Sequence, residues 1–224
     1  MPLASEPWEG WTALDTIFNI SADLQHPVSI TGPKFVGITL DLSFMRREWK
    51  QFDITYIKVS ALPGYSTSTS IFRVGGTAAD FLIFNSTATD SDADAGGNTN
   101  RSDDEVLDYS VKVKNFTING TDWTRLNELV NLAKWDLIFD FNEFLRQGDS
   151  WYPDNARELL KFSQEQGYRI PCFQLGNEPN AYYLVAHRNI SAAQLVKDMQ
   201  TLKSLLSEFP LYQTPALLVL MSLK

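Results

Sequence analysis

The chain has 224 residues, a length that fits one domain, and 44% of them are hydrophobic and 21% charged. This composition excludes a wholly disordered or collagen-like chain. The formal net charge of −8 argues against a broad electrostatic surface for nucleic acid or anionic lipid. The longest apolar run, residues 215–223, is shorter than the roughly 20 residues that span a bilayer, which predicts no transmembrane helix.

The first half of the chain predicts strands separated by polar segments. Two short β-like runs at residues 16–21 and 27–31 precede a stronger apolar strand at residues 35–41. A further strand, residues 70–77, contains two consecutive glycines. Residues 86–104 carry Thr, Asp, Ala, Gly and Asn in place of large apolar side chains, which predicts an exposed, disordered loop.

The second half predicts helices that alternate with strands. Thr121 or Asp122 is the expected cap of the first helix, Ser191 caps the last, and Gly167 closes the middle one. The predicted helices cover residues 123–134, 154–165 and 191–209, and the predicted strands cover residues 136–141, 173–175 and 216–220.

Strands that are apolar along their whole length and alternate with helices predict a parallel sheet covered by helices. This pattern fits a doubly wound sheet and a barrel equally well. Both folds carry their chemistry at the carboxyl edge of the sheet. Four polar residues come just after the ends of predicted strands, namely Asp41, Thr77, Asn142 and Glu178.

The segment best suited to chemistry is Asn177-Glu178-Pro179. A carboxylate directly after a buried strand, next to a proline that fixes the backbone, suits general acid/base catalysis at the mouth of a pocket. Partial burial favours the protonated form of a carboxyl group, which can then donate a proton. Three residues alone leave open the alternative of a solvated loop glutamate before a turn proline.

Features that bear on the cellular compartment point in two directions. The opening residues MPLASE include no basic region followed by an apolar one, so no signal peptide is recognisable. The single cysteine, Cys172, excludes an intrachain disulfide and is expected to be a core residue rather than a nucleophile. Six glycosylation acceptor motifs, more than chance placement gives, indicate a secretory origin. These acceptors are Asn19, Asn85, Asn100, Asn115, Asn119 and Asn189.

Three blocks of the sequence carry a resemblance to a known family. They are FRVGGTAADFLIF at residues 72–84, LIFDFNEFLR at residues 137–146 and FQLGNEPN at residues 173–180. The last block resembles the acid/base segment of the heparanases, retaining endo-β-glucuronidases of glycoside hydrolase family 79. The other two are similar to that family's second and third strand segments, in the right order and spacing. The similarity spans roughly residues 17–218.

The resemblance implies an α/β fold, an incomplete TIM-type (β/α)8 barrel of about the first five βα units. Residues 35–224 correspond to this partial barrel, with an inserted disordered loop at about residues 86–110. Residues 1–34 correspond to N-terminal strands that in the family pair with a β-sandwich missing from this chain. An open half barrel exposes an edge strand, which predicts marginal stability and association with another chain.

Residue by residue, the resemblance implies that Glu178 is the proton donor, which later activates water. Asn177 matches the neighbour that hydrogen-bonds the sugar hydroxyls. Asp41 and Thr77 match positions that line the substrate cleft, and a helix cap at Asp41 and a simple turn residue at Thr77 are the alternatives.

Two lysines, Lys112 and Lys114, fall where the family has a basic heparan-binding cluster. Four acidic residues lie just upstream, and a solvated surface is therefore the alternative at this place.

A retaining glycosidase needs a second carboxylate, the nucleophile, about 5 Å from the acid/base. In the resembled family it comes from a later strand, and no position up to Lys224 matches it. Asp140 and Glu143 are conceivable substitutes, but neither matches a catalytic position of the family.

The resemblance therefore implies a heparanase-like glycosidase that cleaves heparan sulfate with retention, of which this chain carries the acid/base half and lacks the nucleophile half. The chain alone is then expected to be inactive. The alternative is a catalytically inactive truncated isoform that binds heparan sulfate or regulates the full-length enzyme. Expected partners are the heparan sulfate chains of proteoglycans and a complementing chain, with no cofactor and no metal. The expected location is the extracellular matrix or the lysosome.

Overall fold

The computed structural model describes residues 25, 29, 34, 37–47, 70–89 and 115–220. The chain divides into two units, Met1–Thr31 and Gly32–Lys224. Gln25 and Ser29 are the described residues of the first unit, so the strands predicted at residues 16–21 and 27–31 lie outside the described residues except for Ser29. The predicted loop also lies outside them from residue 90 to its end.

The second unit alternates strands and helices. Its strands are β1 (Gly37–Asp41), β2 (Ile71–Gly75), β3 (Leu82–Phe84), β4 (Phe116–Ile118), β5 (Asp136–Phe141), β6 (Arg146–Gln147), β7 (Ser150–Trp151), β8 (Cys172–Asn177) and β9 (Ala216–Leu220). Its α-helices are α1 (Ser43–Arg47), α2 (Gly120–Ala133), α3 (Asp154–Glu165), α4 (Tyr182–Ala186) and α5 (Ala192–Ser207). Short 3₁₀ helices cover Thr77–Phe81, Pro179–Ala181 and Pro210–Tyr212. No helix in these ranges has the length and apolar character needed to cross a membrane.

Five strands form one parallel sheet in the order β1-β2-β5-β8-β9. Strands β3 and β4 form a separate parallel pair, and β6 and β7 an antiparallel pair. Each strand of the main sheet adds to the edge formed by the strand before it. A doubly wound sheet reverses its order at a switch point, whereas a (β/α) barrel continues around in this way.

The prediction that the strands are apolar along their whole length is wrong. One face of the sheet, which includes Phe139 and Phe173, belongs to the same core as the buried side chains of α2, α3 and α5. On the alternate positions the strands carry Arg73, Asp140 and Gln174, which bond to one another. Since strand side chains alternate between faces, the sheet has an apolar helix-covered face and a polar face.

The start of α2 differs from its prediction. Asn119 is the cap, because its Oδ1 accepts the Asp122 N–H at 3.0 Å while Asp122 Oδ2 accepts the Asn119 N–H at 3.1 Å. This reciprocal pair satisfies two backbone donors at once, and neither Thr121 nor Asp122 itself takes the cap position. The predicted cap at Ser191 is confirmed, since its hydroxyl accepts the Gln194 N–H at 3.1 Å.

Aromatic rings hold the central strands β5 and β8 against the helices. The Trp123 ring of α2 packs edge-on against Phe139, with ring centres 4.6 Å apart, and its indole N–H donates to Ser163 Oγ at 2.8 Å. Phe141 of β5 stacks on Phe173 of β8 at 5.3 Å. Buried aromatic pairs of this kind add about 0.5 to 1.5 kcal/mol beyond their area. Both strands that lead to the candidate site are therefore anchored by buried aromatic contacts.

Candidate active site

Glu178 lies immediately after β8, at the carboxyl edge of the main sheet. Its backbone is left-handed, with φ 55° and ψ 60°, and Pro179 begins the 3₁₀ helix that follows. A non-glycine residue in this region costs about 1 to 3 kcal/mol, and such strain is concentrated at functional sites. The side chain is half-buried, and none of the described residues donates a hydrogen bond to its carboxylate. Within the described part of the chain, the carboxylate is thus free to contact a ligand.

Asn177 is held from two sides. Its backbone N–H donates to Asp80 Oδ2 at 3.1 Å, and its side-chain Oδ1 accepts from Arg73 Nη2 at 2.9 Å. Because Oδ1 is committed to Arg73, the Nδ2 amino group is the part of this amide that can donate to a ligand. The residue before Glu178 therefore has a defined orientation.

Arg73 crosses the polar face of the sheet from β2 to β8. Its Nε donates to Gln174 Oε1 at 2.9 Å, and its Nη2 lies 3.4 Å from Asp140 Oδ2. Gln174 Nε2 donates in turn to Asp140 Oδ2 at 2.9 Å and to the Gly176 carbonyl at 2.7 Å. Burial and the nearby Asp80 carboxyl raise the pKa of Asp140 well above its usual value, although Arg73 opposes this shift. These bonds tie three neighbouring strands together below the site.

We expect Arg73→Met to lower the free energy of unfolding by about 3 kcal/mol, because it leaves buried acceptors on Gln174 and Asn177 without a donor. Urea unfolding measures the effect. Arg157→Met is the matched control, since Arg157 pairs with Glu208 at the exposed surface, where an ion pair contributes about 0 to 1 kcal/mol. Equal losses in the two variants would contradict the importance given to the Arg73 bonds.

Two further buried carboxyl groups contact the turn at Glu178 or its neighbours. Asp80 is 1% exposed and Glu143 is fully buried, and the Tyr182 hydroxyl contacts both. Burial raises the pKa of Glu143 to about 8, and it also raises the pKa of Asp80, although hydrogen bonds from Asn177, Tyr182 and Glu143 oppose that shift. Asp140 and Glu143, the conceivable substitute nucleophiles, are both fully buried. Their burial makes direct attack on a polysaccharide by either carboxylate unfavourable.

The remaining predicted strand-end residues make local contacts. Asp41 is exposed, and its Oδ1 accepts the Ser43 N–H at 2.7 Å, which is the helix-cap contact named as the alternative. Thr77 is half-buried and begins a 3₁₀ helix. Asn142 donates to the Leu82 carbonyl at 2.9 Å and accepts from the Phe144 N–H at 2.8 Å, which is a structural role. A cleft-lining role for Asp41 and Thr77 stays a prediction.

Other predicted positions are not brought to the site. Lys112, Lys114, Asn19 and Asn100 lie outside the described residues. Asn85, Asn115 and Asn189 are exposed, whereas Asn119 is 7% exposed and engaged as the cap of α2, which leaves no room for a glycan there.

Cys172 is half-buried at the start of β8, five residues and about 16 Å of strand before Asn177. Burial raises the pKa of its thiol, which therefore stays protonated. The described ranges contain no group of three His, Cys, Asp or Glu residues that could hold a metal.

Comparison with known proteins places these features in a family. The profile described as "Glycosyl hydrolase family 79, N-terminal domain" matches residues 57–220. The heparanase of Rattus norvegicus is 30% identical over 204 residues, which cover 79% of this chain and 38% of that protein. The heparanase of Gallus gallus is 28% identical over 217 residues, with 85% and 41% covered.

Two further similarities differ in kind. Inactive heparanase-2 of Mus musculus is 25% identical over 246 residues, with 90% of this chain and 41% of that protein covered. A solved 4-O-α-L-rhamnosyl-β-D-glucuronidase from Fusarium oxysporum is 15% identical with a TM-score of 0.49, and the match covers 80% of this chain and 35% of that one. The chain spans about two-fifths of the length of the curated relatives it matches. It belongs to glycosyl hydrolase family 79, and its match is to the heparanase-like N-terminal domain of that family.

Proposed function

We propose that this chain is the acid/base part of a retaining, heparanase-like endo-β-glucuronidase that acts on heparan sulfate. The observation that carries the proposal is the position of Glu178, a half-buried carboxylate on a strained turn at the carboxyl edge of a parallel sheet. Asn177, fixed by Arg73 and Asp80, precedes it. Membership of a glycosidase family supports this chemistry.

In the proposed reaction, protonated Glu178 donates its proton to the glycosidic oxygen as the bond to the anomeric carbon breaks. A second carboxylate attacks that carbon and forms a glycosyl intermediate. Ionised Glu178 then removes a proton from the water that hydrolyses the intermediate. Asn177 Nδ2 donates to a sugar hydroxyl, Asp41 and Thr77 line the cleft, and Lys112 and Lys114 contact sulfate groups.

The nucleophile, we propose, comes from sequence outside these 224 residues or from a complementing chain. Asp80, Asp140 and Glu143 are buried, so none of these three is placed for that role. In the same proposal the five-stranded sheet is the first part of a (β/α)8 barrel, which its strand order supports. Residues 1–34 pair with a β-sandwich supplied in the same way.

A second candidate function is that of an inactive isoform which binds heparan sulfate or regulates the complete enzyme. The similarity to a protein named inactive heparanase-2, over 90% of this chain, supports this second candidate function. In both cases we propose a secreted protein of the extracellular matrix or the lysosome, glycosylated at the exposed Asn85, Asn115 and Asn189.

Incubation with a heparan sulfate oligosaccharide tests both functions. The 224-residue chain and the product of its complete transcript are compared for new reducing ends and for bound oligosaccharide. We expect turnover by the complete product that is lost in Glu178→Gln and kept in Glu165→Gln, which removes an exposed carboxylate at the end of α3. Binding without turnover by both proteins would favour the inactive isoform and overturn the hydrolase proposal.

A further inference from the structure

Asp80, Glu143 and Tyr182 form a buried hydrogen-bonded group next to the candidate site. The Tyr182 hydroxyl oxygen lies 2.8 Å from Asp80 Oδ1 and 3.1 Å from Glu143 Oε2. All three side chains are at most 1% exposed. A phenol hydroxyl carries one proton and can donate to only one of the two carboxyl groups. The other carboxyl group must therefore carry a proton of its own, which it donates to the Tyr182 oxygen.

The surroundings of the two carboxyl groups show which one is ionised. Asp80 accepts from three donors, namely the Tyr182 hydroxyl and the backbone N–H groups of Asn177 at 3.1 Å and Glu143 at 3.3 Å. Three donors stabilise a carboxylate anion. Glu143 lacks such support, because its Oε1 is buried and has no hydrogen-bond partner among the described residues. Arg146, whose Nη1 is 3.7 Å from that oxygen, is already paired with Asp198 at 2.8 Å.

We propose that Glu143 holds a proton and donates it to the Tyr182 oxygen, that Tyr182 donates to ionised Asp80, and that Asp80 thereby fixes the backbone of Asn177 beside Glu178. Asp80 is then a positioning residue of the turn, which it reaches through the Asn177 N–H. The consequence for catalysis rests on the proposed function, whereas the placement of the proton does not.

Other charged groups face this trio from the elements packed around it. Arg188, after α4, lowers the pKa of Asp80 and Arg146 lowers that of Glu143, whereas Asp198 of α5 raises the pKa of Glu143. Asp80 itself raises the pKa of Asp140, whose main charged partner is Arg73. Desolvation is the largest effect at each carboxyl group, and it favours the neutral form.

The pH dependence of stability follows from these directions. The pKa of Glu143 is raised from 4.5 to about 8, so the folded chain keeps on this carboxyl a proton that the unfolded chain has released. The associated stability is fully present below about pH 4 and is lost as the pH rises towards 8. The Glu143 carboxyl raises the unfolding constant by up to about tenfold per pH unit within that window.

Urea unfolding of the complete 224-residue chain at pH 5 and pH 7.5 tests the proposal. Glu143→Gln replaces the protonated acid with an amide whose Nε2 donates to the Tyr182 oxygen. In wild type the unfolding constant should rise between pH 5 and pH 7.5 by at least about tenfold more than in this variant, because the variant lacks one titrating group. Asp80→Asn should be less stable at both pH values, since an amide oxygen cannot accept all three donors. Glu165→Gln should follow the wild-type profile.

The opposite pattern, a flattened pH profile in Asp80→Asn and loss of stability in Glu143→Gln, would place the proton on Asp80 and overturn the proposal. If the pH dependence of stability were unchanged in both variants, neither carboxyl would hold the proposed proton, and the proposal would be overturned. Hydrogen exchange of the Asn177 amide gives a local readout, which should stay slow in Glu143→Gln and become fast in Asp80→Asn. None of these measurements depends on turnover, so their failure leaves the proposed role of Glu178 untouched.

Discussion

Gly176→Ala is expected to lower the free energy of unfolding by about 4 kcal/mol, the sum of backbone strain and overpacking. Gly176 has φ +72°, a conformation that L side chains rarely adopt. A β-carbon there would overlap the Tyr182 hydroxyl and the Glu143 carboxylate. Neither side chain has space to move, because both are fully buried. Urea unfolding measures the loss.

Gly167→Ala is the matched control for this prediction. Gly167 has nearly the same backbone conformation, φ +73°, but nothing lies within 4 Å of the position its β-carbon would take. This variant should lose only about 1 kcal/mol, from backbone strain alone. In addition, Tyr182→Phe should reduce the cost of Gly176→Ala, since it removes one of the overlapping atoms. Equal losses in the two alanine variants would show that the packing around Gly176 is not as described.

Local patterns were sufficient for the elements whose cores lie within one segment. The strand at residues 136–141 and the helix at residues 154–165 have the predicted bounds. The sequence pattern predicts a glycosylation acceptor at Asn119, and Asp122 three residues later is at the same time a capping signal, which the structure shows in use. The pattern Asn-x-Thr and the cap overlap in sequence, and only burial separates them.

The polar face of the sheet could not be predicted from the strands themselves. In β5, Ile138 stands on the same face as Asp140, so the alternation of polar and apolar residues is hidden. The available sign of this face was a polar residue inside each of three otherwise apolar strands, namely Arg73, Asp140 and Gln174. Short strands such as β3 and β4 pair across an intervening segment and have no strong local pattern.

The candidate site was predictable only in part, for the same reason. Asn177 and Glu178 form a contiguous motif, so a short segment identifies them. The groups that hold this segment are distant in sequence, since Asp80 lies 97 residues before Asn177 and 102 before Tyr182. A resemblance of blocks brings such residues into view, but their hydrogen bonds emerge only from the fold.

In the product of the complete transcript, Glu178→Gln is expected to lower turnover of a heparan sulfate oligosaccharide by about 10² to 10⁴-fold. This is the usual contribution of a general acid or base. The physical reason is that a sugar alkoxide is a poor leaving group, so the glycosidic oxygen must be protonated for the sugar to leave as a neutral alcohol. A nitrophenolate is a stable anion and leaves without that proton. The same variant should therefore still cleave a nitrophenyl glycoside of the same sugar in its first step, and then stall because no base activates water.

The central claim is that Glu178 is the acid/base residue. Its most direct test is the release of nitrophenol in the first turnovers of the Glu178→Gln variant, made in the protein that the complete transcript encodes. A rapid burst of about one equivalent per active site, followed by slow release, is the result expected of an acid/base residue in a retaining enzyme. If activity on both substrates fell equally and no burst appeared, that role would be contradicted, and Glu178 would be a structural or nucleophilic residue.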